Sequence, residues 1–90
     1  MSQAIVDPAE LRRFAGSLKR FNADLQAALA GLHGQLMALG DSWRDQEHDR
    51  FRQEFEATLQ VLEKFLGVSE EHIPFLLRKA ERIEEYVSQR

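Results

Sequence analysis

The sequence has no cysteine, which excludes a disulfide framework and a thiolate metal site. It has only two prolines and one tryptophan in 90 residues. No apolar run approaches the roughly 18 residues of a membrane span. The first residues lack the basic segment and apolar segment of a cleavable secretory signal. We therefore expect no membrane span and no Sec-type signal.

The chain also has fewer basic than acidic residues. Lysine and arginine number 12 against 15 aspartates and glutamates, for a net charge of −3. An acidic balance argues against nucleic acid and anionic membrane surfaces as partners. The best basic cluster has no interleaved aromatic residue on its face, so nucleic-acid binding is the weakest hypothesis. Its members are Arg12, Arg13, Lys19 and Arg20.

The chain is predicted to be a single all-α domain over residues 1–90, since 90 residues make at most one domain and no segment alternates with the period of a strand. Asp7 suits the N-cap of a first helix, Pro8 its first position and Glu10 its third. Leucines and phenylalanines then recur every three or four residues up to Leu39. This spacing predicts one helix over about 8–39.

A turn is predicted over about 40–44 and a second helix over about 45–88. Gly40 suits a helix end, and Asp41 or Ser42 suits the next N-cap. Pro74 interrupts the second apolar pattern and predicts a kink near residues 70–74. The alternative is a break at which Ser69 caps a third, short helix.

These patterns predict a long helix–turn–helix hairpin. Its predicted core is formed by Leu11, Phe14, Leu18, Phe21, Leu25, Leu32, Leu36, Phe55, Leu59, Leu62 and Leu66. Each helix also carries apolar or small residues away from that core. The seam, meaning the line of contact between the two helices of one chain, cannot cover them. We therefore predict dimerisation into a four-helix bundle. The predicted dimer interface comprises Gly16, Ala23, Ala27, Ala30, Gly34, Ala38, Val61, Val68 and Phe75. The alternative for the Gly and Ala residues is incidental exposure.

Catalytic and metal-binding patterns are not found. His33, His48 and His72 show no paired ligand spacing such as H-E-x-x-H, and a solvent-exposed polar side chain or a helix-end contact is the favoured interpretation of each. No serine lies in a nucleophile-elbow context. The carboxylates are interleaved with Arg and Lys, as on solvated helix faces. We predict a protein without catalytic residues, cofactor or metal.

The turn carries a family resemblance. Trp43, Arg44 and Asp45 open the second segment, with Phe51 eight residues after the tryptophan. Together with the length and the two long helices, this resembles the WXG family, small proteins related to the early secreted antigenic target of mycobacteria. The resemblance implies a non-enzymatic hairpin that pairs with itself or with a related hairpin. It also implies a substrate or partner-carrier of type seven (ESX-like) secretion, with a secretion ATPase as a further partner.

Two positions depart from the family pattern. Asp45 replaces the glycine of W-x-G, and an aspartate there can act as an N-cap instead. The family's export signal is a tyrosine followed four residues later by an acid, whereas Tyr86 is followed by Arg90. Tyr86 is thus a remnant of that signal, and both locations stay open: secreted without a signal peptide, or cytoplasmic. The rival hypothesis is an intracellular helical adaptor or regulatory bundle subunit. Trp43 either plugs the bundle end or is recognised by a partner.

Overall fold

A computed structural model describes residues 6–88, which form two helices and a turn. Helix α1 spans Pro8–Leu39 and helix α2 spans Gln46–Ser88. They pack against each other as an antiparallel hairpin, which confirms the predicted fold class. The molecule measures 69 × 22 × 16 Å, with a radius of gyration of 20.4 Å. A compact domain of this length would have roughly 12 Å, so the hairpin is highly elongated.

Helix α1 begins at a capped proline. The Asp7 backbone is extended (φ −72°, ψ 122°), and its Oδ1 accepts a hydrogen bond of 2.9 Å from the backbone N–H of Ala9. Pro8 occupies the first helical position, where a missing N–H costs nothing. The cap satisfies one of the N–H groups that the first turn leaves unpaired.

Helix α2 is continuous through Pro74. Residues on both sides of the proline are helical, so the alternative of a break with Ser69 as the cap of a third helix is wrong. Ser69 is buried against α1 instead. Ile73, directly before Pro74, and Leu76, two residues after it, are both partly buried. Because α1 holds the helix on both sides of the proline, one lost backbone hydrogen bond does not end it.

The seam between the helices follows a seven-residue repeat. In α1 the buried residues are Ala15, Asn22, Leu29 and Leu36. In α2, Leu59 and Ala80 are buried and mark the two ends of an equivalent row. Leu66 and Ile73 lie between them in that row and are partly buried. A strict seven-residue spacing is 3.5 residues per turn, the spacing of a left-handed coiled seam.

Four residues predicted for the hairpin core lie outside it. Phe14, Phe21, Leu32 and Leu62 are exposed, which corrects the predicted core. The other members are buried (Leu36, Leu59) or partly buried (Leu11, Leu18, Leu25, Phe55, Leu66). The apolar stripe of each helix is wider than the seam, and the centre of the α1 seam lies one residue beyond the phenylalanines, at Ala15 and Asn22.

Candidate interaction surfaces

The turn is built around Trp43. Its backbone N–H donates to the Leu39 carbonyl at 2.8 Å, which extends the hydrogen bonding of α1 by one turn. Its partly buried ring meets His48 edge-on, with centroids 5.1 Å apart, and lies 6.0 Å from the ring of Phe51. Phe51 in turn stacks on Phe55 at 5.5 Å. The ring contacts of Trp43 thus lie within the turn and the start of α2.

Asp45 is the N-cap of α2. Its Oδ1 accepts the backbone N–H of His48 at 3.0 Å, and its carbonyl accepts from the same N–H at 3.1 Å. The helix therefore starts later than a cap at Asp41 or Ser42 would give. No residue in 6–88 has a positive φ. A glycine is thus not needed at position 45 for conformational reasons, and the aspartate stabilises the helix start instead.

His48 is buried under the turn, against the C-terminal cap of α1. A helix-end contact was one of its two predicted interpretations, whereas its burial was not predicted. His48 is 7% exposed, and its Nε2 has no hydrogen-bond partner among the residues that the structure describes. Its ring lies against Gly40: a Cβ added to Gly40 would be 3.4 Å from His48 Cε1 and 3.3 Å from the Met37 carbonyl oxygen. Gly40 has ordinary right-handed helical angles (φ −62°, ψ −18°). A glycine at position 40 is therefore not needed for a left-handed backbone. It allows the ring of His48 to approach the chain closely.

One side of the hairpin is polar, and ion pairs on this side join the two helices. Arg12 donates two hydrogen bonds to the Glu84 carboxylate, at 2.6 and 3.2 Å. The hydrogen bond from Arg12 holds the pKa of Glu84 below its ordinary value. Nearer the turn, His33 Nε2 lies 3.4 Å from Glu56, which also accepts from Arg52 at 3.1 Å. We call this side the polar groove; Gln26, His33, Glu56, Glu63 and Glu70 line it.

The other side is apolar and open. Large side chains there are 36–58% exposed. We call it the exposed apolar face; its members are Phe14, Phe21, Leu32, Leu39, Phe51, Leu62 and Phe65.

The geometry of the helices places these residues together. All but Phe51 come one residue before, or three residues after, a residue of the seam, as Phe14 precedes Ala15 and Leu62 follows Leu59. Phe51 comes eight residues before Leu59, which is the same helical position one heptad earlier. At about 100° per residue this is a rotation of about 60–100° to one side of the seam. Because the helices are antiparallel, the same rotation on each leads to the same side of the hairpin. The face is therefore continuous across both helices.

The two predicted dimer rows do not share a side. In α1, Ala23, Ala27, Ala30, Gly34 and Ala38 are exposed and Gly16 is partly buried, and Ala30 lines the polar groove. In α2, Val61, Val68 and Phe75 are exposed, and each comes two residues after a seam residue, so they lie on the side of α2 that points away from α1. The α1 row, which we call the small-residue row, lies on other sides of the hairpin than the α2 row, so the two rows do not form one continuous surface within a single hairpin. Their role as a dimer interface stays a prediction.

The C-terminal signal position is only partly described. Tyr86 is 63% exposed near the end of α2, and Arg90 lies outside the described residues. Within residues 6–88 no group of acidic or histidine side chains is arranged to hold a metal ion. No helix in that range is long and apolar enough to cross a membrane.

The family model described as "Proteins of 100 residues with WXG", WXG100, matches residues 3–87. The match includes α1, the turn with Trp43 and all of α2 but its last residue. The chain belongs to the WXG100 family. This confirms the resemblance predicted from the turn, with Asp45 at the glycine position of the motif. No curated protein matches the chain.

Solved structures agree with this assignment. The chain resembles the crystal structure of the secreted protein EsxB from Bacillus anthracis str. Sterne, with 26% identity and a TM-score of 0.81. That match covers 96% of this chain and 98% of the EsxB chain. In another crystal form of wild-type EsxB the identity is 27% and the TM-score 0.78, over 91% of this chain and 94% of that one. The WXG100 hairpin is thus matched over nearly its full length.

Proposed function

We propose that this WXG100 protein is a non-enzymatic, type seven secretion-associated hairpin that works as a dimer, joined through the exposed apolar face. The partner is a second copy or a related hairpin. The observation that carries this proposal is the unpaired row of large apolar side chains beside the seam, on both helices. In water such a row is a protein interaction surface.

The surface area supports a partner of comparable size. The chain exposes 7278 Å², whereas a folded monomer of 10.4 kDa typically exposes roughly 5400 Å². The excess is about 1900 Å². Obligate dimers bury about 1000–2500 Å² from each chain. Covering the exposed apolar face with a second hairpin therefore accounts for the excess and gives the four-helix bundle predicted from the sequence.

A pair of matched glutamate substitutions tests the surface. Phe21 is 52% exposed on the apolar face, and Ala27 is exposed on the small-residue row of the same helix. We expect Phe21→Glu to convert dimer to monomer in sedimentation at micromolar concentration, because a buried unpaired carboxylate is costly. Ala27→Glu is the control and should leave the dimer intact. The opposite result would favour the small-residue row, and a wild-type monomer would contradict dimerisation altogether.

We further propose that the dimer is exported from the cell by type seven secretion. EsxB, a secreted protein of the same fold, supports this. In a bacterium with an active type seven system, the tagged chain should reach the medium and should stay inside when the secretion ATPase is deleted. Because Tyr86 lacks the acid four residues later, we expect export to need a partner chain that carries the full signal. Retention in the cytoplasm with such a partner present would favour the rival hypothesis of an intracellular adaptor.

Trp43 is proposed to have a structural role first. Its contacts with His48 and Phe51 are within the turn, and its ring is only partly exposed. We expect Trp43→Ala to lower the unfolding temperature. Unchanged stability with lost export would instead assign the ring to recognition by a partner.

A further inference from the structure

A polar layer crosses the otherwise apolar seam of the hairpin. Asn22 and Ser69 are 2% and 3% exposed, and they face each other from α1 and α2. Ser69 Oγ donates to Asn22 Oδ1 at 2.8 Å, and Asn22 Nδ2 donates to Glu70 Oε2 at 3.1 Å. Apart from His48 at the turn, Asn22 and Ser69 are the buried polar residues that the structure describes. Each is therefore satisfied by a residue of the opposite helix.

The rest of the seam does not define a register strongly. Its apolar residues repeat every seven positions in both helices, so a shift of one heptad again brings apolar rows together. Such a shift moves α2 along α1 by about 10 Å. The ion pair Arg12–Glu84 opposes the shift weakly, because both side chains are more than two-fifths exposed.

The turn is long enough to permit the shift. Six residues separate Leu39 from Gln46. When extended they span up to roughly 20 Å. Helix axes lie about 8–10 Å apart, so a turn that also covers a 10 Å shift needs roughly 15 Å. The length of the connection therefore does not fix the register by itself.

We propose that the Asn22–Ser69–Glu70 layer is the determinant that fixes the register of α2 along α1. In a slipped pairing Asn22 would be buried against an apolar residue with its amide unpaired, which is costly. A single polar residue in a coiled seam acts in this way on register and pairing. The inference goes beyond the proposed function, because it concerns pairing within one hairpin and holds for monomer and dimer alike.

Distances between two spin labels test the register directly. The chain has no cysteine, so labels can be attached at Gln26→Cys and Glu63→Cys, two positions that line the polar groove from opposite helices. Labelled chains are diluted with unlabelled chains, so that only distances within one hairpin are measured. A slip of one heptad moves α2 along α1 by about 10 Å and therefore appears as a second distance between the two labels.

The test variant replaces the layer by apolar residues, Asn22→Leu with Ser69→Ala. We expect a second distance whose population is roughly fivefold to tenfold above that in the natural seam, the change that one net buried hydrogen bond produces. The exchange variant, Asn22→Ser with Ser69→Asn, retains both polar groups and should keep one distance. If the apolar variant does not fold, Ser69→Ala alone removes the donor to Asn22 and should show the same second distance. A single unchanged distance in every folded variant would overturn the proposal and assign the register to the turn.

Discussion

Replacing His48 by phenylalanine should stabilise the protein. The imidazole is buried beneath the turn, and its Nε2 finds no hydrogen-bond partner within residues 6–88. An unsatisfied buried nitrogen costs about 1–3 kcal/mol. Phenylalanine keeps an aromatic ring against Trp43 and removes the nitrogen.

The expected gain follows from two opposing effects. Removing the unpaired nitrogen recovers about 1–3 kcal/mol. The larger six-membered ring must fit beside Gly40, and adding volume to a packed site costs about 1–3 kcal/mol, with the low end of that range expected here because residue 48 keeps 7% exposure at the end of the hairpin. The edge contact with Trp43 is retained in either case. We therefore expect His48→Phe to raise the free energy of unfolding by about 1 kcal/mol.

Urea unfolding at neutral pH measures this change. Trp43 is the only tryptophan and touches residue 48, so its fluorescence follows the turn itself. All variants are compared at one chain concentration, because dimerisation changes apparent stability. His33→Phe is the matched control: His33 is exposed on the polar groove, and we expect a change within about 0.5 kcal/mol. A loss of stability in His48→Phe with helicity retained would refute the reasoning.

Two further predictions concern the close contact at the turn and the outer ion pair. Gly40→Val should lower stability by about 2 kcal/mol in the same urea assay, because even a Cβ there is 3.3 Å from the Met37 carbonyl and 3.4 Å from His48. Equal stability would show that the turn relaxes freely. Arg12→Gln should return the pKa of Glu84 to its ordinary value in a carboxyl NMR titration, since the hydrogen bond from Arg12 lowers it. The pair stabilises the fold above the unfolded-state pKa of Glu84, and this stabilisation disappears as pH falls through the folded-state pKa; an unchanged titration would contradict the pairing.

The helices and the turn could be predicted from local chemistry. Asp7, Pro8 and the spacing of leucines act within a few residues of the chain, and so they are visible in the sequence. The side chains of the turn could be placed only in part. A cap at Asp45 could be predicted, but the burial of His48 depends on Gly40, eight residues earlier at the C-terminal cap of α1, and no local pattern shows it.

The sequence alone determined that this chain forms two long amphipathic helices joined by a tryptophan-containing turn, because capping and periodicity are local. It also determined that each helix has more apolar surface than one seam can cover. Only the tertiary structure decided which part of that surface is the seam. Helical periodicity placed Phe14 and Phe21 beside the leucines, whereas packing centred the seam on Ala15 and Asn22 and left both phenylalanines outside. The physical reason is that the seam follows 3.5 residues per turn and the partner helix supplies the hydrogen bonds for Asn22, neither of which a single helix can show.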